Sequence, residues 1–185
     1  KSKNKMVNIQ KAVFLDRDGV LVKSFVRNGK AYAPINFKDF KIYKHSNKYV
    51  KVLTYLGFKT IVVTNQPDVG RKLISKFTLN KMHNHLKKKT KINFIYTCTH
   101  TADKRCKCRK PSPGMLIKAA KKHKINLKKS YMIGDRFIDI ECGNQAGCKT
   151  IFIDRKYKEN KPKNYFASVR NLRDAVNFII KDLIK

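Results

Sequence analysis

Acids are scarce in this sequence. Asp and Glu number 12 in 185 residues against 44 Lys and Arg, leaving a formal net charge of +32. That balance excludes a neutral or acidic surface and raises two explanations. One is a footprint for a polyanion, such as nucleic acid or an anionic membrane surface. The other is compositional drift, since Lys, Asn, Ile, Phe and Tyr are all abundant, as AT-rich coding sequence produces. The lysines are spread along the whole chain rather than gathered in one block, which favours drift and predicts no specific nucleic-acid partner. Long apolar runs are missing too. None approaches the ~20 residues of a membrane span, so no membrane partner is expected. The basic start, Lys1 to Lys5, is not followed by an apolar stretch and does not read as a secretory signal. Cysteines number five, an odd set for a disulfide framework, and their spacing points to metal instead. A cytoplasmic protein working as a monomer is the expectation.

What is present is a globular pattern. With 42% hydrophobic residues the chain can bury one core. Residues 1–10 read as a basic N-terminal extension and residues 11–185 as one domain. Strands are expected over Ala12 to Leu15, Lys59 to Val63, Ile92 to Tyr96, Tyr131 to Ile133 and Thr150 to Ile153. Helices fall between and after them. They run from Ser46 to Leu56 (closed by Gly57), Ser75 to Lys89, Pro113 to Lys122, Ile138 to Ala146 and Asn171 to Ile184. In the second of these, Phe77, Leu79, Met82 and Leu86 are the expected inner positions. Short apolar strands alternating with helices predict an α/β fold: a three-layer, Rossmann-like, mostly parallel sheet with helices on both faces. Asp154 to Lys163 is a polar connection, too short to mark a domain boundary.

The scarce acids gather at strand ends. Val13-Phe14-Leu15 runs directly into Asp16-Arg17-Asp18-Gly19, two carboxylates one residue apart with a glycine that lets the chain turn. Two acids at the carboxyl end of a strand can share a divalent cation and attack a bound phosphate. The plainer alternative is a solvated Asp-Gly turn. Four of the twelve acids, Asp16, Asp18, Asp135 and Asp139, lie in just two short motifs, which favours the functional reading. Gly134-Asp135-Arg136 follows the fourth strand and repeats an acid beside a tight turn. Asp135 is a candidate ligand for a hard cation, with Asp139 either orienting it or serving the first helical turn. Thr64-Asn65-Gln66 ends the second strand, where a hydroxyl and free amides can hold phosphoryl oxygens. Arg109-Lys110-Pro111 places two cations just before a helix. Lys110 suits a point contact on a phosphoryl group and Arg109 the bidentate recognition of a second anion. Ligands of open α/β sheets bind outside the carboxyl ends of the strands, so these groups should converge on one crevice.

A second cluster is soft. Cys98-x-His100 and Cys106-x-Cys108 offer three thiolates and one imidazole in two tight pairs, the donor set of a tetrahedral zinc site. Four protein ligands leave no open position, so zinc there would organise the loop 98–108 rather than activate water. Cys142 and Cys148 are expected to pack as small apolar side chains. His45, His83, His85 and His123 receive no role.

These motifs jointly resemble the haloacid dehalogenase (HAD) superfamily. They are Asp16-Arg17-Asp18-Gly19, Thr64-Asn65-Gln66, Cys98-x-His100 with Cys106-x-Cys108-Arg109-Lys110-Pro111, and Gly134-Asp135-Arg136-x-x-Asp139. Within it they are similar to the zinc-loop phosphatases that act on D-glycero-D-manno-heptose 1,7-bisphosphate or on histidinol phosphate. The likeness spans about Ala12 to Asp154. Pro111 to Leu116 and Tyr131 to Asp135 resemble the heptose branch, and the short zinc loop resembles the histidinol branch. The resemblance implies Mg²⁺-dependent hydrolysis of a small phosphorylated substrate, with Asp16 as nucleophile and Asp18 as general acid and base. It implies Mg²⁺ held by Asp16, the main-chain carbonyl of Asp18 and Asp135, with Asp139 supporting them from behind. Thr64 and Lys110 would hold equatorial phosphoryl oxygens, while Asn65, Gln66, Arg109 and Arg136 would bind the substrate. Cys98, His100, Cys106 and Cys108 would hold Zn²⁺, and no large cap domain is expected. Two recognition arginines favour the heptose bisphosphate. The alternatives are histidinol phosphate, a nucleic-acid 3′-phosphate, and a non-catalytic polyanion-binding module.

Overall fold

Side chains alternate along β1 (Lys11–Leu15), so Val13 and Leu15 lie on one face and Ala12 and Phe14 on the other. All four are fully buried, so both faces of the strand have to be covered. The computed structural model describes residues 9–184, and it shows how the rest of the chain covers them. After β1 come a hairpin, β2 (Phe25–Arg27) and β3 (Lys30–Tyr32), and then α1 (Ser46–Tyr55). β4 (Phe58–Asn65), α2 (Pro67–Gly70), α3 (Lys76–Thr90) and β5 (Phe94–Cys98) follow. The second half runs α4 (Gly114–His123), β6 (Tyr131–Gly134), α5 (Phe137–Ala146), β7 (Lys149–Ile153), β8 (Ala167–Val169) and α6 (Leu172–Leu183).

Six strands form one parallel sheet in the order β5-β4-β1-β6-β7-β8. Counted along the sheet's own strands this is the doubly wound dinucleotide-fold order. Val50 and Leu53 of α1, Leu79, Met82 and Leu86 of α3, and Val176 and Ile179 of α6 pack with Val13 and Leu15. Met115, Leu116 and Ala119 of α4 and Cys142 of α5 pack with Ala12 and Phe14. The three expected layers are therefore present. The chain leaves β1 towards β4 and β5 and comes back to β6 on the other side, so the carboxyl ends of β1 and β6 flank the switch point where such sheets bind ligands. Asp16 follows β1 and Asp135 follows β6.

Several boundaries differ from the sequence reading. β4 runs on through Thr64 and Asn65, because both pair with β5 at Thr97 and Cys98. β5 starts at Phe94 instead of Ile92: Lys91 leaves α3 in a left-handed conformation and Ile92 is buried in the turn. The hairpin, α2 and β8 were not foreseen. Gln10 already belongs to the domain, exchanging main-chain hydrogen bonds with Lys124 and Asn126 at 2.9 and 2.8 Å. Residues 1–8 of the proposed extension lie outside the described residues. No helix among the described residues is long and apolar enough to cross a membrane.

Phe77 is the clearest correction. It is 78% exposed, whereas Met82 is 0% exposed. Leu79, Met82 and Leu86 recur at helical spacing and define the buried stripe, and Phe77 stands about 200° around the helix from Leu79. Phe77→Gln should accordingly leave stability within ~0.5 kcal/mol. Met82→Ala should cost about 2–5 kcal/mol through the cavity it opens. Urea unfolding of the two variants checks this, and equal losses would contradict the assigned face.

Candidate active site

Asp16 extends β1 by one step, its N–H donating to the Ile133 carbonyl of β6 at 2.9 Å. The chain then turns at Gly19, which has φ +83°, and a Cβ there would lie 1.7 Å from Asp135 Oδ2. Only glycine lets the turn come this close to the second acid. Asp16, Asp135 and Asp139 each offer a carboxylate oxygen within 4.8 Å of the others. Between them sits the buried ammonium of Lys110, 2.8 Å from Asp16 Oδ1 and 2.6 Å from Asp139 Oδ1. Its third proton goes to the Val63 carbonyl at 2.9 Å. Burial alone would lower the Lys110 pKa, but the Asp139 and Asp16 charges outweigh it and hold the group protonated. Asn65 locks this lysine from the main chain, its amide giving to and accepting from Lys110 at 3.1 Å each.

Asp139 is fully buried in the first turn of α5 and accepts the Arg136 N–H at 3.0 Å, so it serves both the helix and Lys110. Burial and the Asp16 charge push it up to about 6 against the pull of Lys110. Asp135 is the least satisfied member of the cluster. Both its oxygens are buried without a hydrogen bond of regular geometry. Burial, with the Asp139 and Asp16 charges, raises its pKa well above the usual carboxylate value, although Tyr157 and Lys110 oppose this. Three carboxyl groups share one ammonium in a buried pocket, so all three can ionise together only if a further cation joins them. Orphaned hard oxygens so placed fit a divalent cation such as Mg²⁺.

Asp18 is held differently. Its Oδ2 accepts from Gln66 Nε2 at 2.8 Å and from Arg17 Nη2 at 2.9 Å. Arg17 is fully buried, with Nη2 also on Gln66 Oε1 at 2.8 Å, Nη1 3.2 Å from His83 Nε2, and the guanidinium 5.3 Å from the Phe40 ring centroid. Burial and the Arg17 charge push His83 down to about 3, so at neutral pH it is an uncharged acceptor for the arginine. Gln66 Nε2 reaches Thr64 Oγ1 as well, at 2.8 Å. Burial raises the Asp18 pKa, opposed by Arg17 and reinforced by Asp16. A carboxyl raised in this way is suited to donate a proton.

Asp16, Asp18, Asn65, Lys110 and Asp135 line a cleft of about 260 Å³, near the low end for a small-molecule site. Arg71, Arg109 and Arg136 stand round its rim. Each is tethered: Arg71 to Asp68 at 3.0 Å, Arg109 to the His100 carbonyl at 3.2 Å, and Arg136 to Glu159 at 2.6 Å. Beside the rim the loop from β5 to α4 folds back on itself, bringing Cys98, His100, Cys106 and Cys108 together. Cys108 Sγ lies 3.2 Å from Cys98 Sγ, 3.4 Å from Cys106 Sγ and 3.3 Å from His100 Nδ1. Cys98 Sγ is 3.6 Å from both Cys106 Sγ and His100 Nδ1. Zn–S bonds of about 2.3 Å imply sulfur separations of about 3.8 Å in a tetrahedron, so the donor set fits zinc with a slight expansion.

Residues 107–175 match the sequence profile of the HAD-hydrolase-like family. A D-glycero-alpha-D-manno-heptose-1,7-bisphosphate 7-phosphatase of Photorhabdus laumondii is 35% identical over 155 residues, 77% of this chain and 81% of that one. The chain belongs to the HAD-like phosphatases. The histidine biosynthesis bifunctional protein of Buchnera aphidicola is 34% identical over 157 residues, 82% of this chain but 42% of its own length. The fold is that of a crystal structure of D,D-heptose 1,7-bisphosphate phosphatase from B. bronchiseptica, complexed with magnesium and phosphate. Its TM-score is 0.80 at 23% identity, covering 94% of this chain and 99% of that one.

In this HAD-like phosphatase Asp16, Asp18, Asn65, Arg109, Lys110, Asp135 and Arg136 all reach one cleft. Thr64 and Gln66 do not line it. They are buried behind Asp18, in contact with it directly or through one another. The sequence reading missed Arg17, Arg71, Tyr157 and Glu159. For Arg17 the signal was its place between two motif acids, and for Glu159 that it is one of only two glutamates in the chain. Nothing distinguishes Arg71 in so basic a sequence. Cys142 and Cys148 are buried as expected, their thiols pushed up to about 12 by burial.

Proposed function

We propose that this phosphatase removes one phosphate from D-glycero-D-manno-heptose 1,7-bisphosphate, leaving heptose 1-phosphate and inorganic phosphate. The observation that carries the chemistry is the placing of Asp16 and Asp18 side by side on one cleft, Asp16 against the Lys110 ammonium at 2.8 Å and Asp18 held by Arg17 at 2.9 Å and Gln66 at 2.8 Å. Arg17 N–H and Lys110 both bind Asp16 Oδ1, leaving Oδ2 with its lone pairs for attack. Oδ2 attacks phosphorus in line as the ester P–O bond breaks, and Asp18 gives its proton to the leaving alkoxide. Ionised Asp18 then takes a proton from water, which attacks the aspartyl-phosphate and frees Asp16 and phosphate. The carboxylates of Asp16 and Asp135 and the carbonyl of Asp18 would hold Mg²⁺, which when bound supplies neutralisation of the phosphoryl charge. Lys110, fixed by Asn65, adds a cation beside the equatorial oxygens. Thr64 supports Asp18 through Gln66. Cys98, His100, Cys106 and Cys108 would hold Zn²⁺ and so shape the loop that carries Arg109.

Three rim arginines support a substrate with a second anionic group over histidinol phosphate, whose far end is a cationic amine. Phosphate release should be measured on both heptose bisphosphate anomers, histidinol phosphate, other sugar phosphates and a 3′-phosphorylated oligonucleotide. One bisphosphate anomer should lead in kcat/KM by about 10- to 100-fold, the worth of a charged contact of about 1.5–3 kcal/mol. A lead for histidinol phosphate would move the function to that branch. A lead for the oligonucleotide would make the net charge functional.

A further inference from the structure

The polar connection after β7 is a strap across the site. Asp154 Oδ2 takes Lys156 Nζ at 2.8 Å and Lys161 Nζ at 3.1 Å, closing the segment on itself. From that base the strap reaches several points on the cleft wall. Arg155 Nε donates to the Gly19 carbonyl in the catalytic turn at 2.8 Å. Tyr157 interacts with Asp135 and Ser24. Lys158 N–H donates to the Gly29 carbonyl at the hairpin tip at 2.8 Å. Glu159 does two things at once: Oε1 accepts the Ala31 N–H at 2.8 Å, and Oε2 accepts Arg136 Nε at 2.8 Å and Nη2 at 2.6 Å.

Glu159 itself does not line the cleft, but both groups it holds do. Its side chain is 17% exposed against 40% for Arg136, so the anchor is the more buried partner. Because Nε and Nη2 are spent on one oxygen, Arg136 keeps Nη1 for a further anion, and a guanidinium has donors enough for both. An arginine held in this way binds a phosphate without first having to order its own side chain.

We propose that Glu159 is a positioning residue for the substrate's second phosphate, fixing the hairpin edge and Arg136 with one carboxylate. The proposal rests on reading the site as that of a bisphosphate phosphatase. Glu159→Gln keeps an oxygen for the Ala31 N–H and removes the charge that holds Arg136. With Mg²⁺-loaded enzyme, KM for the heptose bisphosphate should rise about tenfold, the ordinary worth of one charged contact. Its kcat should stay within about twofold, as should KM for heptose 7-phosphate, which lacks the second phosphate. In an Arg136→Ala background the same substitution should add nothing, the signature of two residues acting as one unit. Equal changes for both substrates, a lower KM for the bisphosphate, or additivity with Arg136→Ala would overturn the proposal. Hydrogen exchange at the Ala31 amide tests the clamp without any substrate, so a failed activity assignment is not mistaken for a failed clamp. Exchange should quicken in Glu159→Ala and hold in Glu159→Gln, and an unchanged rate in Glu159→Ala would overturn it.

Discussion

Replacing Asp16 by Asn should abolish phosphate release while the protein stays folded. Asn keeps an oxygen at the position that accepts the Arg17 N–H at 2.7 Å and faces Lys110 at 2.8 Å. Lys110 retains Asp139 at 2.6 Å and the Val63 carbonyl at 2.9 Å, so its charge is not stranded. What is lost is the proposed nucleophile. Phosphate monoesters are so inert that enzymes supply rate factors up to ~10²¹, and an amide oxygen offers none of the covalent contribution. Asp18→Asn should be as silent for a different reason: Gln66 Nε2 and Arg17 would still orient the side chain, but no proton could be given to the leaving oxygen. Phosphate release in saturating Mg²⁺, with circular dichroism to confirm folding, decides both. More than about a percent of residual turnover in Asp16→Asn, two decades or ~2.7 kcal/mol of barrier, would end the covalent mechanism.

The regions of this molecule that could be read from sequence are those whose physics is local. Val13-Phe14-Leu15 and Tyr131-Met132-Ile133 are apolar runs with acids just beyond them, and they became the two central strands with Asp16 and Asp135 at their ends. Cys98, His100, Cys106 and Cys108 stood out by type and spacing, and the fold brings them together. The hairpin did not, because its strands are three residues long and mostly exposed, and it is fastened by Lys158 and Glu159 from more than a hundred residues away. Its one local sign is Asn28-Gly29, with φ 51° and 78°, the pair that a tight two-residue hairpin turn demands.

Arg17 escaped for a related reason. Its place between two motif acids does not tell what it touches, and only the fold brings Gln66 and His83, 49 and 66 residues on, to bury and satisfy it. Thr64 and Gln66 were expected at the phosphate; Gln66 Nε2 instead bridges Thr64 Oγ1 and Asp18 Oδ2, each at 2.8 Å, and neither residue lines the cleft. The strap was legible only as polar chain; its contacts are all tertiary.

Substituting Ser for Cys106 or Cys108 should weaken substrate binding and slow turnover together, without silencing the enzyme. Each change removes one soft ligand from a set whose remaining members cannot close a tetrahedron, and structural zinc contributes about 10–16 kcal/mol to ordering its site. Cys98 is buried at the end of β5 and should stay in place, whereas Cys106 and Cys108 sit half-buried on the loop that leads into Arg109. That arginine is tied to the His100 carbonyl at 3.2 Å, so it moves with the residues proposed to hold zinc. Lys110 is better protected, because Asn65 grips its main chain at 3.1 Å in both directions. The expected loss is therefore ~10²-fold in kcat/KM, the usual result of misplacing positioning groups by ~1 Å. It should fall well short of the Asp16→Asn loss. The hard oxygen site and the soft site should also behave differently under chelation. Mild chelator should remove Mg²⁺ and stop turnover reversibly, while elemental analysis still finds about one zinc per chain in the wild type and far less in Cys106→Ser. A zinc-free protein with full activity would sink the structural role of the loop, and a Cys106→Ser variant with unchanged KM would show that Arg109 does not depend on it.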